Sequence, residues 1–172
     1  MNFAFLFFYL LFICKMTTET NNSELNFPKY KLAGDPEGDN YLEREGGNIP
    51  EDYYKTFNKL SDIFNQAKGD GISAWKKFVL EEGKEVSKEK LEEFANKQRN
   101  PKAIKELHHL LVEELDIKIE KQSKEEREKE EKAEQEAGDN FGFFFDPNFQ
   151  AMALYDQCDQ LIKNKFNVND DE

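Results

Sequence analysis

The chain has 172 residues, 38% of them hydrophobic and 35% charged, with a net charge of −12 at pH 7. That length holds one ordinary domain, and so acidic a surface, with its lysines interleaved among glutamates, repels phosphate backbones and disfavours DNA or RNA as a partner. Sixteen phenylalanines and six tyrosines argue against wholesale disorder, because disordered chains are poor in aromatics.

Residues 1–16 carry the unbroken apolar run "FAFLFFYLLFIC", Phe3 to Cys14. Twelve residues are too few to cross a hydrocarbon core of roughly 30 Å as a helix, so no stable membrane span is expected. The run has the length of a secretory apolar region, but no basic residue precedes it and no small-x-small cleavage site follows it. Two readings therefore stand. Either this is a cleaved leader and the protein is secreted, or it is an upstream extension and a cytoplasmic protein starts at Met16. Cys14 and Cys158 are the two cysteines, so a processed chain would hold one thiol and no internal disulfide. Asn21-Asn22-Ser23 is a formal glycosylation sequon, which matters only on the secreted route.

Residues 17–49 are expected to be a disordered acidic linker, punctuated by Gly34, Pro36, Gly38, Gly46 and Gly47 with no apolar period between them. The stretch "DPEGDNYLEREG", Asp35 to Gly46, spaces its acids like a calcium loop. It fails at the two positions that matter: Asn40 stands where a sharp turn needs glycine, and Gly46 where a bidentate glutamate is needed.

Residues 50–120 read as the core of an all-α bundle. Tyr53, Phe57, Leu60, Phe64 and Ala67 recur at helical spacing after Pro50, and Gly69 supplies a stop. A short helix from Ser73 to Gly83 would bury Ala74, Trp75, Phe78 and Val79. Ser87 caps a third, with Val86 and Leu91 placed as a hydrophobic staple. Asn100-Pro101 opens the longest helix, with Ala103, Ile104, Leu107, Leu110, Leu111, Leu115 and Ile119 along one stripe.

Over residues 121–138 the stripe vanishes. "KQSKEEREKEEKAEQEAG" keeps strong helix formers and opposite charges four apart, such as Glu125 with Lys129. This predicts a charged helix extending from the bundle, solvated rather than paired in a coiled coil, which would need apolar a and d residues. Residues 139–166 combine a Phe-rich connector with a last helix that packs back on the bundle. Asp146 caps it, Pro147 opens it, and Ala151, Leu154, Tyr155, Cys158, Leu161, Ile162 and Phe166 form its stripe, with Phe149 expected in the core. Residues 167–172 are an acidic tail. The sum is a small helical bundle of about five helices with a disordered N-terminal segment.

The chemistry-bearing residues point away from an enzyme. Glu106 and His109 have the i, i+3 spacing of di-iron bundles, but such sites need a second motif, and His108 and His109 are the only histidines. Adjacent helical residues point about 100° apart, so these two cannot grip one ion. Cys158 lies on an apolar stripe with no neighbouring base. The "GDG" at Gly69 to Gly71 lacks the lysine of a phosphate cradle. No metal or other cofactor is therefore expected.

"FNQAKGDG", "AWKKF" and "SKEKLEEF" resemble parts of the acyl-CoA-binding proteins, which are small helical carriers. Where that family places a ligand-touching tyrosine and lysine, this chain has Phe64 and Asn65, and its segment before the tryptophan is shorter. The resemblance implies an alternative, a carrier of an apolar ligand such as a fatty acid or acyl chain. The leading expectation is a non-enzymatic interaction or adaptor protein that docks another protein through the aromatic patch Phe141, Phe143, Phe144 and Phe145. Those four precede the Asp146 cap, in a connector whose pattern dictates no side for them.

Overall fold

The computed structural model describes residues 25–35, 40–137 and 146–169. Over these residues it is a small all-α bundle of five α-helices with a two-residue strand pair at its edge. Helix α1 spans Glu51–Glu82, α2 Lys88–Asn96, α3 Pro101–His108, α4 Lys124–Glu136 and α5 Pro147–Phe166. Helix α1 is the hub, packing against α5 on one side and α3 on another. Among the described residues no helix is long and apolar enough to cross a membrane.

The helix starts follow from their caps. Ser87 Oγ accepts from the Lys90 amide at 3.3 Å, Asn100 Oδ1 from Ala103 at 3.2 Å, and Asp146 Oδ1 from Asn148 at 2.9 Å and Phe149 at 3.2 Å. Each satisfies amides that the first helical turn leaves without partners. Val86 and Leu91 are both half-buried.

The first two expected helices run on as one, broken at a single residue. Lys68 has φ 63° and ψ 167°, and the chain turns helical again at once through Gly69-Asp70-Gly71. The glycines are used for close approach rather than as a stop. A Cβ on Gly69 would collide with the Asn148 side chain and lie 3.2 Å from its Cα, at the start of α5, and one on Gly71 would lie 3.4 Å from Ile104. Lys68 thus absorbs the bend that lets α5 seat. Its dihedrals fall where glycine alone is comfortable, a strain of about 1–3 kcal/mol. Lys68→Gly should therefore stabilise the fold by about 1 kcal/mol after the extra freedom glycine gives the unfolded chain, measured by urea denaturation. A destabilised variant would show that this bend carries no strain.

Helix α3 is shorter than its stripe implied. It loosens into a π-helical turn, His109–Glu114, with the Leu115 amide bonded to the Leu110 carbonyl at 2.9 Å. Asp116 then takes φ 47° and the Ile117 amide returns to the Leu111 carbonyl at 2.8 Å. In a continuous α-helix Ile117 would stand about 120° from Leu111 but only about 20° from Leu110, at 100° per residue, and so at the edge of the stripe. After the break Ile117 lies in the core at 0% exposure.

The chain next runs extended to Gln122, whose amide donates to the Leu80 carbonyl at 2.8 Å. The charged run accordingly begins a separate helix rather than prolonging α3. Ser123 and Glu126 form a reciprocal capping box, at 3.2 and 2.7 Å, at its start. No residue of α4 is buried. It is tied to α1 through Arg127–Glu81 at 2.8 Å and Lys77–Glu134 at 4.0 Å, partly exposed pairs that contribute about 1 kcal/mol each at most.

Two further expectations are corrected. Phe149 is half-buried rather than in the core, because the turn that seats Asn148 against Gly69 leaves it on the flank of α5. The linker expected over residues 17–49 is, from Leu25 onward, largely part of the fold. Phe27 and Tyr30 are core residues at 5% and 7% exposure, drawn in by side chains of α1.

Candidate interaction site

Along α1, Asn58, Ser61 and Asn65 stand at i, i+3 and i+7, so they share one face of the helix. Each is followed or preceded by apolar partners of the core, and Asn58 and Ser61 are themselves buried. Buried amides and hydroxyls need partners. They find them on the backbone of an extended segment, residues 25–32, which crosses the helix in the opposite direction.

The pairing is two-point at each amide. Asn65 Oδ1 accepts from the Phe27 amide at 2.6 Å while its Nδ2 donates to the Phe27 carbonyl at 2.9 Å. Asn58 repeats this with Tyr30, both bonds at 2.7 Å. Between them Ser61 Oγ donates to the Pro28 carbonyl at 2.6 Å and is joined by the Tyr155 hydroxyl at 2.8 Å. Since the serine proton is used on Pro28, Tyr155 is the donor in the second bond. A carboxamide carries donor and acceptor side by side and so mimics the edge of a β-strand.

The spacing explains why two amides suffice. Seven helical residues rise about 10.5 Å at 1.5 Å each, and three residues of extended chain span about 9–10 Å. Phe27 and Tyr30 therefore meet Asn65 and Asn58 in register. The far edge of the segment is also covered: Lys29–Tyr30, β1, pairs in parallel with Tyr41–Leu42, β2, through Lys29 N to Asn40 O at 3.1 Å and Lys31 N to Leu42 O at 3.2 Å. Pro28 brings no amide hydrogen that would need a partner.

Side chains complete the groove. The Phe27 ring lies 4.6 Å from Tyr155 and 5.2 Å from Phe64, and the Tyr30 ring 4.8 Å from Phe57 and 4.9 Å from Tyr54. Lys29 points outward, 3.0 Å from Asp62 and with its ammonium 5.5 Å from the centre of the Tyr41 ring. Its hydrogen bond to Asp62 holds its pKa above the ordinary lysine value. Near the Leu25 end, a surface hollow is shared by Leu25, Gly69, Arg99, Pro147 and Asn148.

The residues weighed for chemistry have structural partners. His108 is buried and its Nδ1 accepts from Trp75 Nε1 at 3.2 Å, so the ring is neutral with its proton on Nε2. Burial holds its pKa below the usual imidazole value. His109 is exposed, between Glu113 at 2.6 Å and Glu114 at 3.2 Å. Cys158 is fully buried, and burial pushes its thiol well above the ordinary range. The two histidines thus serve different surroundings, as their angular separation required.

One carboxylate is poised to titrate. Burial, with the charge of Asp159 beside it, raises Asp156 to about 6 from an ordinary 3.8. Between those values the folded chain holds a proton that the unfolded chain has released. Asp156 thus favours folding as pH falls through 6 and opposes it when ionised above. Asp156→Asn should raise stability by about 1–2 kcal/mol at pH 7, discounted for partial exposure, and by little at pH 4. His108 works in the opposite direction below about 6.5, because the unfolded chain then binds the proton first. Comparing the variant with the parent chain by denaturation at both pH values cancels the histidine. An equal gain at both would place the effect in packing instead.

Phe141, Phe143, Phe144 and Phe145, the expected docking residues, lie outside the described residues, as do the leader and the last three residues of the acidic tail. Sequence reasoning passed over Asn58 and Ser61 and met Asn65 only as a departure from the acyl-CoA-binding pattern. A run of three uncharged polar residues at helical spacing, one step round from Phe57, Leu60 and Phe64 in an otherwise charged helix, was the available signal.

No family model, curated protein or solved structure matches this chain.

Proposed function

We propose that the chain is a non-enzymatic protein-interaction domain of the adaptor type, which docks another protein. The observation that supports this reading is the Asn58–Ser61–Asn65 ladder, a helix face that holds an extended polypeptide by its main chain. Main-chain bonds of this kind give affinity while pockets for selected side chains give specificity. Phe141, Phe143, Phe144 and Phe145 belong to the same reading as an aromatic contact for the partner, joined to the bundle through the Asp146 cap of α5. The acidic surface would select partners of complementary charge and speed their encounter.

The carrier alternative has less behind it. The space between α1 and α5, where an acyl chain would lie, holds the rings of Phe27, Phe57, Phe64 and Tyr155 in mutual contact. A ligand there would have to expel them.

The test is an affinity pull-down with the full chain beside a variant with Phe141, Phe143, Phe144 and Phe145 changed to Ser. Circular dichroism would establish that the variant is folded. Loss of a partner from the variant supports docking through the connector. Retention of every partner overturns that part of the reading.

A further inference from the structure

We propose that the Trp75–His108 contact is an acid-sensitive latch between α1 and α3: protonation of His108 breaks it and releases α3 from α1 while α1 and α5 stay packed. This goes beyond the interaction reading and does not depend on it.

The chemistry of the bond carries the inference. An indole nitrogen can only donate, so the ring nitrogen that faces it, His108 Nδ1 at 3.2 Å, has to be bare. An imidazolium carries a hydrogen on both nitrogens. Protonation therefore turns the acceptor of this joint into a second donor, and two N–H groups are left facing each other. Trp75 is 0% exposed and His108 5%, and in a close-packed interior neither ring has room to swing aside. Relief requires the joint to open.

The surrounding charges leave that response intact. Glu113 favours the protonated ring and His109 opposes it, and among the described residues no charge of α1 or α2 adds to these. Burial outweighs Glu113 and holds the closed ring neutral. Once open to water, the ring titrates near its ordinary 6.5. The closed form is thus fully favoured above that value. Each pH unit below it shifts the balance toward the open form by up to about tenfold, until the closed ring itself takes up a proton.

The fold sets weak ties beside the latch. His108 is the last residue of α3, followed at once by the wide turn His109–Glu114 and then by Asp116 with φ 47°. The tie from that turn to α1, Lys59–Glu114 at 2.6 Å, is partly exposed, and α2, on the other side, buries only Ala95. By contrast, α1 and α5 share the rings of Phe57, Phe64 and Tyr155 and the Tyr53–Asp159 bond at 2.9 Å. Opening α3 exposes Ile104 and Leu107, both in the core, so the open form is a minor one at neutral pH and acid raises its share.

The chain has one tryptophan, so a nitrogen-15-labelled full chain gives one indole N–H signal, whose exchange with solvent reports the latch. Exchange of this group and of the Ile104 and Leu107 amides, each relative to the free-chain rate at the same pH, is expected to rise about tenfold from pH 7.5 to 5.5. At pH 5.5 it should be at least about tenfold faster than exchange of Leu60 and Ile162, as local opening requires. One common opening for all of these groups would mean that α3 leaves only with global unfolding, and the latch is overturned. His108→Asn keeps an acceptor oxygen near the Nδ1 position and cannot take up a proton, so it should abolish the tenfold rise. The same rise in that variant assigns the effect to another group and overturns the proposal. Should the variant not fold, the ring signals of the two histidines in the parent chain decide: loss of indole protection that follows the His108 titration supports the latch, and loss that does not follow it overturns it.

Discussion

Asn58→Ala is expected to lower the unfolding free energy by about 2–4 kcal/mol, a large effect for a polar residue. The substitution removes one side chain yet strands two groups, the amide and the carbonyl of Tyr30, each bonded to it at 2.7 Å. Asn58 is 8% exposed and Tyr30 7%, so water cannot readily replace those bonds, and a buried unsatisfied group costs about 1–3 kcal/mol. Asn58→Asp separates the two contributions. Its carboxylate still accepts from the Tyr30 amide but faces the Tyr30 carbonyl with another acceptor. Such an aspartate would have a raised folded pKa, so its defect should be large at pH 7 and shrink in acid, where the protonated group can donate. Denaturation of both variants at pH 7 and pH 4 checks this. An alanine variant within 0.5 kcal/mol or so of the parent, the usual range of an ordinary surface change, would mean that the ladder contributes nothing to the fold.

How far the fold was legible follows from how local each cause is. Ser87, Asn100 and Asp146 begin helices because a side chain bonds amides two or three residues on, and such signals lie in the sequence beside their effect. Ser123 with Glu126 is a signal of the same kind, hidden among charges that suggested one continuous helix. The end of α3 was harder to see. The wide turn from His109 and the left-handed Asp116 have no glycine or proline beside them to announce them, and Ile117, seven residues after Leu110, fits a continuing helical stripe as well as a broken one. Residues 25–32 have no period at all. Their order comes from Asn58 and Asn65, 28 and 38 positions away in the chain, and from a helix face whose polar residues look like solvent positions when counted for hydrophobicity. The candidate site was therefore the least legible part of the molecule. Its partners are main-chain atoms, which carry no residue identity.

The resemblance to acyl-CoA-binding proteins takes on a different meaning in this light. Phe64 and Asn65 depart from the ligand-touching residues of that family, and both have a defined role here. Phe64 packs at 5.2 Å against the Phe27 ring and Asn65 holds the Phe27 backbone. The two adjacent residues grip one residue of the extended segment, by ring and by main chain. What stands at these two positions is, physically, a hold on the chain's own segment.

Phe27→Ala carries the largest expected effect, a loss of about 3–5 kcal/mol. The ring is 5% exposed, and its contacts with Tyr155 at 4.6 Å and Phe64 at 5.2 Å add about 0.5–1.5 kcal/mol each beyond simple burial. Were residues 17–49 a free linker, the same change would fall within about 0.5 kcal/mol of the parent. Lys29→Ala provides the internal contrast. Lys29 belongs to the same segment, but its side chain is spent on a partly exposed ion pair with Asp62, for which about 1 kcal/mol is an upper bound. Chemical denaturation of the two variants therefore distinguishes a segment that is part of the core from one that merely lies on it. Combining Phe27→Ala with Asn65→Ala goes a step further. Ring and backbone are gripped at the same residue, so their losses should couple by more than about 0.5 kcal/mol, and the double variant should lose less than the sum, because a segment already released by the first change has little left for the second to break. Strict additivity would mean that the ring and the ladder act on separate structures, and that residues 25–32 are not held as one unit.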